Sequence, residues 1–310
     1  MWHVENKPAN PRRRLIVAAG ALGLLALLAW SLLPALRAFT LVYNGAARGT
    51  PNAAQATQAG LRVQNISFAA SDGVRLRGWL AIASPNAPTI ILAHGFKGTR
   101  VSMLPWARFL YAAGYNVLLF DDRGCGQSDG WGIGLGSTEP NDVVGAVRYL
   151  ESRSDLANKR YGALGVSLGA GVVLLAAARE PALVAVVADS AWADERPQLD
   201  RMSSVPVGRF SLPVLPYEPA LVDALIGARL EATSPRAVIG KIAPRAVFLI
   251  HSADDRNTTT PLTGEAQLYT AAGQPKQQWI APSGGHAGAL VAHPAEYQQR
   301  VLAFFAQHLW

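Results

Sequence analysis

A serine between two glycines has the sequence setting that most clearly indicates chemistry in this chain. Ser167 stands in the string GVSLG at 165–169, which follows the pattern G-x-S-x-G. A short apolar strand is predicted before this string, and a small-residue apolar helix, AGVVLLAAA at 170–178, follows it. A tight strand-to-helix turn exposes the serine hydroxyl at the edge of a sheet, and its glycines are needed because a Cβ would strike neighbouring backbone. Ser167 is therefore predicted to be a nucleophile.

A nucleophilic serine needs a base and a third group that orients the base. The apolar run AVFLI at 246–250 predicts a later strand, and Asp254 and Asp255 lie just beyond its end. His286 follows the last predicted strand, in the glycine-rich string SGGHAG. The order serine, acid, histidine fits a parallel sheet that presents all three at the carboxyl ends of its strands. The residues alone leave the choice between the two aspartates open.

Acyl transfer to a serine also needs donors for the oxyanion that forms on the substrate. The backbone N–H of Leu168, directly after the nucleophile, is one predicted donor. The second is predicted in the loop HGFKG at 94–98, where the N–H of Phe96 is the candidate. This chemistry uses no metal ion and no organic cofactor, so we expect neither.

Strands and helices alternate along most of the chain, as in a mostly parallel sheet with flanking helices. The first two predicted strands form a hairpin, and the segment at about 191–236 breaks the rhythm with six prolines and a helical stretch at 219–230. We interpret that segment as an inserted cap. The predicted strands are 61–68, 74–82, 89–93, 116–120, 160–164, 183–188, 246–250 and 276–280, and the predicted helices are 102–113, 139–151, 168–179, 261–272 and 294–308.

Five strings together resemble the α/β-hydrolase superfamily: AHGF, DDRGCGQSDG, GVSLG, HSADD and GGH. More narrowly, they are similar to bacterial membrane-tethered serine hydrolases akin to the S9 and S33 peptidases and the BEM46-like proteins. The resemblance covers about residues 61–308 and implies the α/β-hydrolase fold. In that family the acid stands four positions after the histidine of its loop, which carried onto His251 selects Asp255. The resemblance thus implies a Ser167, His286 and Asp255 triad.

Composition excludes several other classes of protein. The chain has 310 residues, of which 16% are charged, and a net charge of +7. Four of its positive charges lie in the first 14 residues, so the basicity is local and does not indicate nucleic-acid binding. Cys125 is the single cysteine, which rules out an intramolecular disulfide and a cysteine-based zinc site.

The N-terminal segment is predicted to anchor the chain in a membrane. Residues 15–33 contain no charge, and a helix of that length nearly spans a hydrocarbon core of about 30 Å. Pro34 is expected to end the helix. Arginines at 12–14 favour a cytoplasmic N-terminus and an extracytoplasmic catalytic domain. A cleaved signal peptide and a buried core helix are the weaker alternatives, because the apolar run is long and has no polar face.

The predicted organisation is a cytoplasmic basic segment at 1–14, an anchor at 15–33, a linker at 34–60 and a hydrolase domain at 61–310. The favoured function is hydrolysis of an ester, thioester or amide, with a small-molecule or acylated, lipid-like substrate. One alternative is a peptidase of the S9/S33 type, which would hold a free amino terminus with cap carboxylates such as Asp194, Glu195, Asp200, Glu218, Asp223 and Glu231. The other alternative is an idle membrane-bound scaffold, and no signal indicates the oligomeric state.

Overall fold

The structure is a computed structural model, and it describes residues 11–43, 49–194, 204–213 and 217–310. In this part of the chain, eight strands form one sheet in the order β1-β2-β4-β3-β5-β6-β9-β10. β2 runs antiparallel to both of its neighbours, and all other pairs in the sheet are parallel. The strands are β1 Val63–Ala69, β2 Arg75–Ala81, β3 Thr89–Ala93, β4 Asn116–Phe120, β5 Tyr161–Val166, β6 Leu183–Asp189, β9 Ala246–Ser252 and β10 Lys276–Ala281.

Helices cover both faces of this sheet, which confirms the predicted α/β-hydrolase architecture. Residues of α4 and α5 belong to one hydrophobic core, and residues of α3 and α10 belong to the other. The central strands β3, β4 and β5 are buried along their whole length because both of their faces are covered. The helices are α1 Pro11–Tyr43, α2 Ala53–Gln58, α3 Leu104–Ala112, α4 Pro140–Ser152, α5 Leu168–Ala177, α6 Glu218–Ile226, α7 Pro235–Val238, α8 Leu262–Ala271, α9 Ala289–Ala292 and α10 Pro294–Leu309.

The segment predicted as a cap lies between β6 and β9 and carries elements of its own. β7 Ser204–Val207 and β8 Phe210–Pro213 form an antiparallel hairpin, and α6 follows them. The predicted helical stretch at 219–230 is shorter in the structure, since Gly227 adopts a left-handed conformation with φ of 66° and ends α6. Residues 195–203 and 214–216 of the predicted cap lie outside the described residues.

The prediction that Pro34 ends the first helix is wrong, because α1 continues through it to Tyr43. Pro34, Ala38 and Val42 are buried against the rest of the protein. Their spacing of four residues places them on one ridge of the helix, and burial of that ridge compensates for the hydrogen bond that proline removes. Residues 15–33 of the same helix are almost wholly exposed.

The predicted linker at 34–60 is also wrong where the structure describes it as helical. Besides the end of α1, it contains α2, which begins with a capping box between Asn52 and Gln55. Ala56 in α2 is fully buried in the hydrophobic core. These residues belong to the folded domain, while 44–48 lie outside the described residues.

Candidate active site

Ser167 occupies a strained position at the junction of β5 and α5. Its backbone has φ of 56° and ψ of −116°, a combination that side-chain-bearing residues rarely adopt. The Ser167 N–H donates a hydrogen bond of 2.8 Å to the carbonyl of Asp189, the last residue of β6. A Cβ at Gly165 would overlap the backbone of Gly169, and one at Gly169 would overlap Ala93, so glycine is required at both positions. The motif therefore folds as the sequence indicates.

The structure brings Ser167, His286 and Asp255 into one hydrogen-bonded line. His286 Nε2 lies 2.7 Å from Ser167 Oγ, and His286 Nδ1 lies 2.9 Å from Asp255 Oδ2. The Asp255 side chain is fully buried, while that of His286 is partly exposed. If Nδ1 carries the proton, the imidazole donates to the carboxylate and leaves Nε2 free to accept the serine proton. This arrangement can generate a nucleophilic serine oxygen.

Asp254, the other aspartate that the sequence offered, points to a different partner. Its Oδ1 accepts a hydrogen bond of 2.8 Å from the backbone N–H of Gly285. That hydrogen bond is the main cause that lowers the pKa of Asp254 below its ordinary value. Asp254 therefore supports the glycine-rich loop before His286, and Asp255 contacts the imidazole ring.

A second histidine lies against the carboxylate of Asp255. His251 is fully buried at the end of β9, and its Nε2 lies 3.2 Å from Asp255 Oδ2. Burial lowers the pKa of His251, which keeps the ring neutral at physiological pH. On the other side, Thr260 Oγ1 lies 3.0 Å from His286 Nδ1. The Asp255–His286 pair is thus enclosed by two further polar side chains, and Thr260 was missed in the sequence because it belongs to no motif.

The loop of His286 is also held by a buried polar chain that the sequence analysis missed. Ser190 Oγ accepts a hydrogen bond of 3.1 Å from the N–H of Ala287 and donates one of 3.0 Å to Asp189 Oδ1. Asp189 Oδ2 accepts a hydrogen bond of 2.8 Å from the hydroxyl of Tyr297. That hydroxyl in turn accepts a hydrogen bond of 2.8 Å from Trp106 Nε1. Burial raises the pKa of Asp189 to about 6. In the sequence, the one sign of this chain of hydrogen bonds is Asp189, the polar residue that directly follows the apolar run LVAVVA.

The two predicted oxyanion donors lie on the loop and the helix that flank Ser167. Leu168 begins α5 directly after the serine. Phe96 follows Gly95, where an added Cβ would lie 3.3 Å from Ser167 Cβ. Buried His94 accepts a hydrogen bond of 3.1 Å from the N–H of Asp122 and thereby braces the base of this loop. The role of both backbone N–H groups stays a prediction.

The string DDRG at 121–124 supports neighbouring loops. Arg123 donates to Asp142 at 2.6 Å and to Asp72 at 2.8 Å, which joins three segments of the chain. Asp121 Oδ1 accepts a hydrogen bond of 2.8 Å from the N–H of Arg100, and Arg100 lies just after the loop that carries Phe96. These contacts fix loops around the site, and none of them involves Ser167, His286 or Asp255.

Within the described ranges, no group of three or more His, Cys, Asp or Glu side chains is arranged to hold a metal ion. Cys125, the single cysteine, is buried. The polar groups that the structure brings together at the site are Ser167 Oγ, the His286 imidazole and the Asp255 carboxylate.

Comparison with solved structures places the fold among hydrolases. The esterase Pf2001 of Pyrococcus furiosus matches with a TM-score of 0.68 and 22% identity, covering 86% of this chain and all of that one. Est1E of Butyrivibrio proteoclasticus, solved with ferulic acid bound, matches with a TM-score of 0.59 and 18% identity over 78% of this chain and 98% of that one. At such identities the likeness shows the fold, and that fold is the α/β-hydrolase fold.

Comparison of sequences gives the family. The family described as X-Pro dipeptidyl-peptidase (S15 family) matches residues 43–206, which is more than half of the chain. The protein YqkD of Bacillus subtilis (strain 168) is 30% identical over 234 residues, covering 75% of each chain. The protein YfhR of Escherichia coli (strain K12) is 28% identical over 255 residues, covering 79% of this chain and 81% of its own.

Fold and family together define a serine hydrolase of the α/β-hydrolase class. Within that class, the chain belongs to the S15 family, that of the X-Pro dipeptidyl-peptidases.

Proposed function

We propose that this hydrolase is carboxylesterase-like and works through an acyl-enzyme on Ser167. The observation that carries the proposal is the unbroken line from Ser167 Oγ to His286 at 2.7 Å and from His286 to Asp255 at 2.9 Å. Such a line couples a hydroxyl to a general base whose orientation is fixed by a buried carboxylate.

The first half of the proposed reaction forms the acyl-enzyme. His286 Nε2 takes the Ser167 proton as Oγ attacks the carbonyl carbon, and the backbone N–H groups of Leu168 and Phe96 donate to the resulting oxyanion. His286 then gives the proton to the leaving group, and the bond between the acyl carbon and the leaving group breaks. Asp255 stays ionised and stabilises the imidazolium.

The second half releases the acyl group by the same steps with water as the nucleophile. His286 takes a proton from a water molecule, the hydroxide adds to the acyl carbon, and the Ser167 ester bond breaks. Ser167 Oγ recovers its proton from His286, and a carboxylic acid leaves. Each step uses groups of this chain and water only.

The engaged state of three cap carboxylates favours esters over peptides as substrates. An aminopeptidase holds the free amino group of its substrate with carboxylates, which must be available for that contact. Asp194 pairs with Arg236 at 2.8 Å, and Glu218 pairs with Arg37 at 3.3 Å. Asp223 accepts a backbone hydrogen bond of 2.9 Å from within the cap. Of the other acidic residues in the predicted set, Glu195 and Asp200 lie outside the described residues.

Membership of the S15 family favours a second candidate, the removal of a dipeptide that ends in proline. Both candidates use the same serine chemistry, so substrate preference distinguishes them. We expect higher kcat/KM for p-nitrophenyl butyrate than for glycyl-prolyl p-nitroanilide. The reverse order would establish the peptidase.

The experiment that tests the proposed nucleophile is labelling of the full chain with a fluorophosphonate probe. We expect labelling of the wild type and of Ser152→Ala, a matched variant of a surface serine at the end of α4. Ser167→Ala should not be labelled. Equal labelling of Ser167→Ala would assign the nucleophile elsewhere, and a folded wild type that is not labelled would favour an idle scaffold.

We propose further that α1 anchors the protein in a membrane, with residues 15–33 in the bilayer, the N-terminus in the cytoplasm and the hydrolase domain outside. In the part of the chain that the structure describes, α1 is the one helix long and apolar enough to span a bilayer. The arginines at 12–14 support the orientation. Alkaline carbonate should leave the full chain in the membrane pellet, and added protease should reach the hydrolase domain from outside; release by carbonate would contradict the anchor.

A further inference from the structure

The last turns of α1 are an integral part of the hydrolase domain. Ala38 and Val42 are buried in the hydrophobic core that also contains α4 and α5. The carbonyl of Val42 accepts a hydrogen bond of 3.1 Å from the N–H of Ile133, and Gly132 packs so closely on Val42 that a Cβ there would lie 2.9 Å from its side chain. A helix fixed in this way cannot act as a flexible stalk, so it sets the height of the domain above any bilayer that it spans.

The cap helix α6 packs directly on α1. Tyr217, the residue before α6, donates its hydroxyl proton to the carbonyl of Ser31. Glu218 is 2% exposed and pairs with Arg37 on the next turns of α1. Ser31 and Arg37 are six residues apart, which is about 9 Å along a helix. Two polar contacts at different heights therefore fix the start of α6 alongside α1.

The contact with Ser31 places the cap at the boundary of the apolar segment. Ser31 lies in the last turn of the uncharged run 15–33. The polar layer of a bilayer adds roughly 5–8 Å on each side of a hydrocarbon core of about 30 Å. With residues 15–33 in the hydrocarbon, Tyr217 lies at its edge and Glu218 lies within the polar layer.

Exposed aromatic side chains lie above this junction, with Phe39 and Tyr43 about 9 Å and 15 Å beyond Leu33 along α1. The rings of Phe39 and Tyr43, both on α1, stack on each other with centroids 5.1 Å apart, and both side chains are more than 40% exposed. Trp131 is 48% exposed and lines a cavity of about 210 Å³ together with Val42 and Leu225 of the cap helix. The aromatic residues at this end thus come from α1, from the cap and from the loop after β4.

We propose that the start of the cap helix α6 rests in the headgroup layer of the bilayer that α1 spans, with the Trp131 loop next above that layer, so that the enzyme acts on acyl esters held at the membrane surface. The start of the cap segment lies next to the active site, because Ser190 holds the His286 loop and Trp192 Nε1 donates a hydrogen bond of 3.4 Å to the carbonyl of Leu168. This inference rests on the anchorage proposed above. The partner is a lipid bilayer, and the substrate class is an ester whose acyl chain is embedded in it.

The test measures the height of two matched positions above the membrane. Trp131→Cys and Trp310→Cys, each carrying a fluorophore, are reconstituted as full chains in phosphatidylcholine vesicles that contain a lipid with a nitroxide headgroup. Trp310 is 61% exposed and directly follows α10, which packs in the core on the opposite face of the sheet from the core that contains Ala38 and Val42 of α1. Cys125 is buried and does not compete for the label. We expect at least about fivefold stronger quenching at position 131, and equal quenching at both positions would overturn the proposal.

A second variant separates this inference from the proposed chemistry. A flexible Gly/Ser segment of about ten residues, inserted between Leu33 and Pro34, spans roughly 17 Å and frees the domain from the bilayer surface. Quenching at position 131 should fall to the level at 310, and hydrolysis of a vesicle-embedded ester should fall several-fold. Fluorophosphonate labelling and hydrolysis of soluble p-nitrophenyl acetate should not change.

The remaining outcomes are each decisive. Strong quenching at position 131 in a chain that no fluorophosphonate labels would support the bilayer contact and contradict the esterase. Unchanged quenching after the insertion would show that the domain does not take its height from α1. A wild-type chain that does not float with the vesicles would overturn both the anchorage and this inference.

Discussion

The positive φ of Ser167 illustrates how single residues are positioned by contacts far away in the sequence. Its N–H is held by β6, and its hydroxyl contacts a histidine 119 residues later. A strained backbone of this kind persists only where the surroundings fix it, and it is common at functional sites. Because Ser167 Oγ has no packing role, its loss should affect chemistry and leave folding intact.

We predict that Ser167→Ala lowers kcat for a soluble p-nitrophenyl ester by about 10⁴-fold or more. The substitution removes the atom that forms the acyl-enzyme, while the cores on both faces of the sheet are untouched. Steady-state hydrolysis and circular dichroism of the same preparation check both parts. A variant that keeps even a tenth of the wild-type kcat would contradict the assigned nucleophile.

We predict that Asp255→Asn and Asp254→Asn differ sharply. Asp255→Asn should lower kcat by about 10³–10⁴-fold, because an amide no longer holds the imidazole in the tautomer that accepts the serine proton. Asp254→Asn should cost less than about tenfold, because its carbonyl oxygen still accepts from Gly285. The measurement is kcat for both variants on one ester, and similar losses would show that the acid is wrongly assigned.

The buried chain behind His286 should have a smaller, positional effect. We predict that Ser190→Ala lowers kcat by about tenfold with little change in KM, because the N–H of Ala287 loses its acceptor and the His286 loop loosens. Ser152→Ala is the matched surface control. A larger effect on KM than on kcat would indicate that Ser190 contributes to substrate binding instead.

At the scale of elements, the buried ridge of α1 has a consequence for stability. We predict that Ala38→Gln lowers the thermal unfolding midpoint of the detergent-solubilised chain by roughly 5 °C, because it places an unpaired amide in a closely packed core. Leu36→Gln, at an exposed position two residues earlier on the same helix, is the control and should leave the midpoint unchanged. Equal shifts of the unfolding midpoint in both variants would mean that the ridge of Pro34, Ala38 and Val42 is not packed against the domain.

Helix α8 carries a buried acid whose protonation should couple stability to pH. Burial raises the pKa of Glu265 to about 8, against an ordinary value of 4.5. The folded state then holds its proton more tightly than the unfolded state, so this contribution to the free energy of unfolding is complete below about pH 4.5 and is lost as the pH rises through about 8.

Glu265→Gln, which resembles the neutral acid, should lack this loss. We expect the variant to gain stability relative to the wild type between pH 6 and pH 9, and urea unfolding at both pH values measures the difference. If the two proteins differ in free energy of unfolding by the same amount at pH 6 and at pH 9, the raised pKa of Glu265 in the folded state is contradicted.

The elements also show which features the sequence could predict. The strand at 89–93 matches its predicted bounds, and other central strands agree within two residues, because buried strands leave a continuous apolar run. The end of α1 could not be predicted in this way. Helix formation beyond Pro34 depends on burial against α6 and the Trp131 loop, which are far away in the sequence.

At the scale of the whole molecule, the site likewise combines residues that the sequence could predict with residues that only distant contacts bring together. Ser167 and His286 stand in local glycine-rich strings that require a particular backbone, so their placement could be predicted. Asp254 and Asp255 are adjacent and chemically equal in the sequence, so the residues alone left the choice open. The family resemblance selected Asp255, and the folded loop brings that carboxylate to the ring. The chain from Ser190 through Asp189 to Tyr297 joins residues more than 100 positions apart, and no local pattern indicates it.

Described residues of the cap segment contact both the active-site elements and α1. Trp192, at the start of the cap segment, donates to the carbonyl of Leu168 beside Ser167, and Glu218 at the start of α6 pairs with Arg37 of α1. The proposed catalysis by Ser167 requires no membrane, whereas the proposed access to embedded substrates does. The two claims are therefore tested by separate measurements.

The central claim is an acyl-enzyme on Ser167, and trapping it is the most direct test. The full chain is mixed with p-nitrophenyl acetate, quenched in acid within the first turnover and digested for mass spectrometry. The account predicts an acetyl group on the peptide that contains Ser167, and none at that site in Ser167→Ala. An acetyl group on another residue, or turnover by Ser167→Ala at the wild-type rate, would contradict it.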